Sequence, residues 1–157
     1  MTMGPTLFLL VAPATLAAVA SAHFVLEVPT SVGYEDMREG TAPCGGFEPT
    51  RRDAVTDWPV AGAPLKLIST HPRSRFTVRI ALLPNTTAGP LTFSAMLPVI
   101  QQSGLGWLCL PSLPGIAAWE GQDAVLQVTQ VATDGELFQV SAPSTQRCRV
   151  PGVGCDV

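Results

Sequence analysis

The feature that most constrains the fold is a succession of short apolar runs, each cut off by proline or glycine before it could grow into a stable helix. The chain carries 15 Pro and 14 Gly in 157 residues, and the runs between them alternate with period two. "HFVLEV" begins at His23, and "LKLIS" follows a Gly-Ala-Pro turn. "RFTVRIALL" places Phe76, Val78 and Ile80 on one face and Arg75, Thr77 and Arg79 on the other. "LTFSAML" follows, then "AVLQVTQV", in which Val125, Gln127 and Thr129 oppose Leu126, Val128 and Gln130. "ELFQV" closes the set behind the turn Thr133 to Gly135. Strands of this length and spacing predict a single all-β domain, an antiparallel β-sandwich with long loops. Residues 98–121 read as an irregular loop pinned by Cys109. No internal repeat, low-complexity tract or interdomain linker interrupts the pattern.

Upstream of the first strand, residues 5–22 are apolar and small, with Pro13 in the middle and Ala20-Ser21-Ala22 at the end. Small residues at the last and third-last positions make 1–22 a secretory leader cleaved after Ala22. "MTMG" offers only the terminal amine as positive charge. An uncleaved membrane anchor is the competing reading, disfavoured by the internal proline and the lack of flanking charge. Cleavage makes His23 the first residue of a mature chain long enough to bury a core. Cys44, Cys109, Cys148 and Cys155 all lie in that mature part. In an oxidising compartment they imply two disulfides, with a local Cys148 to Cys155 bridge one of the open connectivities. A zinc cluster is the other reading, without a CxxC spacing to support it. Asn85-Thr86-Thr87 is a glycosylation sequon, consistent with secretion. The net charge of -3 and the absence of a basic run exclude a nucleic-acid partner.

The mature chain holds two histidines, His23 and His71. An N-terminal His23 offers its α-amine, with an ordinary pKa of roughly 8, and its imidazole. His71 supplies a third nitrogen, and nitrogens in one plane suit Cu2+, which prefers tetragonal N/O sites. This is a histidine brace. The bland alternative makes His71, in "STHPRS", a turn residue before proline and His23 an exposed end. Nucleophilic hydrolysis has no GxSxG and would rest on His71 alone. The carboxylates of "YEDMREG" (Glu35, Asp36 and Glu39), with Glu27 nearby, could form an acid/base pair, but the segment reads more simply as a solvated loop. No glycine loop follows a strand in the manner of a phosphate site.

In these residues the chain resembles a family of fungal copper proteins, the copper acquisition factors, which look like lytic polysaccharide monooxygenases. The resemblance is carried by "HFVLEVPTSVGYEDMREGTAPCGGF" (23–47), by "STHP" and its following strand (69–83), by "LCLPSLPGIAAWEGQDAVLQV" (108–128) and by "TDGELFQ" (133–139). It implies an immunoglobulin-like sandwich over 23–139, with copper held by the amine and ring of His23 and the ring of His71. It also implies an aspartate in a Cys-Ala-Asp stretch directly after a segment like "LFQ". Here Val140 and Ala142 stand in those places, and Cys155-Asp156 is the nearest match. Asp156 is therefore the expected carboxylate ligand, with Asp134 and Asp123 as fallbacks. Residues 140–157 form an atypical tail, and 140–154 read as inserted sequence, such as an intron taken as coding. By the same resemblance Cys44 pairs with Cys155 and Cys109 with Cys148.

The function implied is secreted or cell-surface copper capture without catalysis, with copper-uptake machinery as partner and membrane contact only through the lipid anchor of relatives. The rival is a copper monooxygenase on polysaccharide, with Trp58, Trp107 and Trp119 available for sugar stacking. A structural cell-wall sandwich that binds no metal is the third reading.

Overall fold

The structure, a computed structural model, describes residues 23–83 and 90–146. Nine strands follow in chain order: β1 Phe24–Val28, β2 Val55–Pro59, β3 Ala63–Ser69, β4 Arg73–Leu82, β5 Ser94–Ala95, β6 Ile100–Ser103, β7 Gly106–Leu113, β8 Ala124–Ala132 and β9 Gly135–Gln146. Short 3-10 turns occupy Asp36–Arg38 and Ala117–Trp119. One sheet has the order β1-β3-β7, and the other has β2-β9-β8-β4-β5, with β6 also on β4. The two sheets form the expected sandwich. All pairs are antiparallel except β2 with β9, which run parallel.

Alternation in β4 works as the sequence suggests. Phe76, Val78 and Ile80 are buried while Arg75 and Arg79 face out. Across the gap, Phe24 and Leu26 of β1 and Leu65 and Leu67 of β3 complete the core with Trp58 and Leu113. Phe24 meets Phe76 edge to face, with ring centroids 5.8 Å apart. Strand β8 departs from simple alternation, since both of its faces are buried from Ala124 to Gln130. Its second face lies beneath the 33–48 segment, where Gln127 Nε2 donates to the carbonyl of Pro43 at 2.7 Å.

Three expectations change. Residues 98–121 are not an irregular loop, because β6 and β7 lie within them; β7 pairs with β3 and β6 with β4. Their burial alternates weakly, so period two was hidden in the sequence. Strand β9 does not stop with "ELFQV" at Val140 either. It runs on to Gln146, pairing Ala142 to Gln146 with Val55 to Pro59. The third change concerns Cys44, which is buried with a free thiol, so the pairing with Cys155 is not made. The residue packed beside it is Val140, standing where the resemblance expects cysteine. Cys109 is disulfide-bonded. Cys148, Cys155, Asp156 and the Asn85 sequon lie outside the described residues.

Burial, and secondarily the charge of Glu48, pushes the Cys44 thiol up to about 11. A thiol both covered and protonated reacts slowly. Iodoacetamide at pH 8 is therefore expected to leave Cys44 unlabelled in native protein and to label it after denaturation. Mass spectrometry of the Cys44 peptide reads the result, and full labelling under native conditions would contradict the packing.

Candidate metal centre

The two histidines lie at one end of the β1-β3 ladder. Phe24 pairs with Ser69, so His23 falls opposite Thr70 and one residue from His71. Thr70 fastens the end of β1 in three ways. Its amide donates to the His23 carbonyl at 2.9 Å, its hydroxyl donates to that carbonyl at 3.0 Å, and the hydroxyl lies 2.8 Å from the His23 backbone nitrogen as acceptor.

His71 is 1% exposed. Its Nδ1 faces Asp134 Oδ1 at 3.4 Å, and its Nε2 is buried with no hydrogen-bond partner in the structure. A carboxylate beside one ring nitrogen favours the proton on that side and the lone pair on the other. Asp134 thus stands behind His71. An orphaned buried nitrogen costs free energy unless something binds it, and a metal ion would. Nearby, Gln130 Nε2 donates to Ser69 Oγ at 2.6 Å and Ser74 Oγ at 2.7 Å, and the His71 amide donates to Ser69 Oγ at 3.2 Å. This network sets the turn that carries His71.

The side chain missed in the sequence is Glu39. Read as part of a solvated loop, it is in fact 2% exposed. Its Oε2 lies 2.9 Å from His23 Nδ1, and its Oε1 accepts from Gln139 Nε2 at 2.8 Å. Gln139 also binds β1, accepting from the Leu26 amide at 3.0 Å and donating to the Phe24 carbonyl. The Glu39 carbonyl accepts from the Phe138 amide at 2.8 Å. Gly45 follows at φ +63°, where a side-chain Cβ would come within 2.4 Å of the Phe138 carbonyl oxygen. Only glycine permits so close an approach. Glu39 could have been suspected from its place six residues before the Gly45-Gly46 pair, which folds the segment back onto β9.

Burial raises the Glu39 carboxyl above its ordinary range, against the pull of hydrogen bonds from Gln139 and His23. Tyr34 meets the His23 ring edge-on with centroids 6.5 Å apart. Burial, then its hydrogen bond to Asp36, raises its hydroxyl too, so it stays neutral. Asp36 Oδ2 stands 3.9 Å from His23 Nε2.

Among the described residues, no three or more His, Cys, Asp or Glu side chains are gathered as a ready metal cage. A brace needs only two such side chains, because its third nitrogen is the chain's own amine. Asp123 is remote from this end, ion-paired with Arg52 at 2.6 Å. Of the tryptophans, Trp58 is buried with Nε1 donating to the Leu113 carbonyl at 3.2 Å, and Trp119 packs on the core. Trp107 is 42% exposed, with Lys66 Nζ 4.2 Å from its ring centroid.

Comparison with known proteins adds a description to this geometry. A family model described as copper acquisition factor BIM1-like matches residues 21–142. A lytic polysaccharide monooxygenase-like protein, X325, of Yarrowia lipolytica is 29% identical over 131 residues, covering 80% of this chain and 49% of the relative. An uncharacterised protein of Aspergillus fumigatus is 28% identical over 118 residues, covering 71% of this chain and 48% of the relative. The chain thus spans about half the length of the curated relatives it matches.

Proposed function

The chain belongs to the BIM1-like copper acquisition factor family, and on that premise we propose that it captures Cu2+ as cargo through a histidine brace. The amine and Nδ1 of His23 and Nε2 of His71 are the donors. Cleavage of the leader after Ala22 creates the amine. The observation that carries this reading is the buried, partnerless Nε2 of His71, held on its other nitrogen by Asp134 and one residue beyond the partner of His23.

Capture is favoured over catalysis. A polysaccharide oxidase needs an exposed aromatic face for stacking. Here Trp58 and Trp119 are committed to packing, and the partly exposed rings among the described residues, Trp107 with Lys66 beside it and Tyr34 next to His23, do not make an extended stacking face. The captured ion passes to copper-uptake machinery at the cell surface.

Mature protein whose first residue is verified as His23 by mass spectrometry is expected to bind one Cu2+ tightly in a competition titration. With reductant and peroxide on cellulose, chitin or xylan, the loaded protein is expected to release no soluble oxidised oligosaccharides. Their release would replace capture by oxidation, and absence of saturable binding would overturn the copper reading altogether.

A further inference from the structure

We propose that Glu39 supplies the carboxylate of the copper site, in the place that Asp156 was expected to fill. The proposal rests on the brace reading. A metal chelated by the amine of His23 can take only Nδ1 of the same ring, since Nε2 points away from the backbone. Nδ1 is the atom that Glu39 Oε2 already faces, at 2.9 Å. Two ligands each about 2.0 Å from a first-row ion and roughly at right angles stand about 2.8 Å apart. The Nδ1 to Oε2 separation is an ordinary hydrogen-bond distance that neighbouring ligands can also share, and a copper ion in place of the shared proton needs the carboxylate to turn off the Nδ1 axis.

The surroundings of Glu39 point the same way. One carboxylate oxygen is held by Gln139, which is anchored to the β1 backbone, so Oε2 is presented toward His23 in one orientation. A carboxylate 2% exposed is costly to ionise without a cation beside it, and Cu2+ supplies that charge. The positions where the resemblance expects Cys and Asp hold Val140 and Ala142, which have no carboxylate, and both are buried in the sheet.

Two measurements test this. Copper-loaded wild type, carrying carboxyl-13C glutamate, is expected to show a 13C hyperfine coupling to Cu2+ in pulsed paramagnetic resonance. Glu39→Gln keeps the shape but removes the charge and turns one of the two acceptor oxygens into a donor NH2. It is expected to weaken Cu2+ binding by more than the ten- to hundredfold that loss of an outer partner typically costs, and to change the continuous-wave spectrum. If wild type shows no coupling, or Glu39→Gln binds with unchanged affinity and spectrum while binding still needs His23 and His71, the assignment of Glu39 fails and the brace survives. If wild-type binding does not need His23, the brace fails and this proposal with it. Should Glu39→Gln not fold, the labelled wild type alone decides.

Discussion

Protein that retains Ala22 in front of His23 is expected to lose tight copper binding, with Kd rising on the order of a thousandfold, about 4 kcal/mol. The reason lies in one nitrogen. A free α-amine titrates near 8 and gives up its proton to a metal at neutral pH. The same atom in a peptide bond has its lone pair in the amide resonance, so copper can use it only by first displacing the amide proton. Loss of the amine also turns the His23 ring from half of a chelate into a lone monodentate ligand. The backbone nitrogen would keep its contact with Thr70 Oγ1 at 2.8 Å, so the fold is expected to be unaffected and circular dichroism to be unchanged. His23→Ala, which removes the ring and keeps an amine, is expected to fall as far. Equal affinity of both variants and the mature protein in competition with a chromophoric chelator would refute the brace.

Phe76→Ala is expected to lower the unfolding free energy by about 3–5 kcal/mol, a large share of the roughly 5–15 kcal/mol available to a domain of this size. Phe76 is fully buried at the middle of the sandwich and contacts Phe24 edge to face. Its removal leaves a cavity under the first strand, and the residue whose packing it unsettles directly follows His23. Urea denaturation of metal-free protein reads the stability as a lower midpoint with an unchanged slope. Copper affinity is expected to fall as well, by far less than on extending the N-terminus. A stability loss below about 1 kcal/mol would show that Phe76 is not the keystone of the core.

Much of the sandwich was legible because burial on one side writes itself as alternation. "RFTVRIALL" shows this most plainly, and β4 is buried and exposed in that order. β7 was illegible for the opposite reason: half-buried and exposed residues follow one another in no strict period. The parallel pairing of β2 with β9 joins segments about ninety residues apart, and local patterning cannot announce a partner at that distance. His23 and His71 were candidates by type and position, and the ladder sets His23 opposite Thr70, the residue before His71. Glu39 was hidden by its neighbours. A carboxylate among Glu35, Asp36 and Arg38 looks solvated, and only the return of the chain at Gly45 and the reach of Gln139 from β9 bury it. Asp134 was visible as a fallback ligand, yet its position is behind the ring of His71.

The three contacts of Thr70 with His23 bear on the entropy of metal capture. The first residue of a chain ordinarily frays, and fixing one residue's backbone costs roughly 1–2 kcal/mol. An ion that had to gather a loose terminus would meet that cost on every encounter. Here the last rung of the β1-β3 ladder holds both the nitrogen and the carbonyl of His23, so the ordering is accomplished by folding. On the brace reading proposed above, the donor nitrogen is already in position when copper arrives.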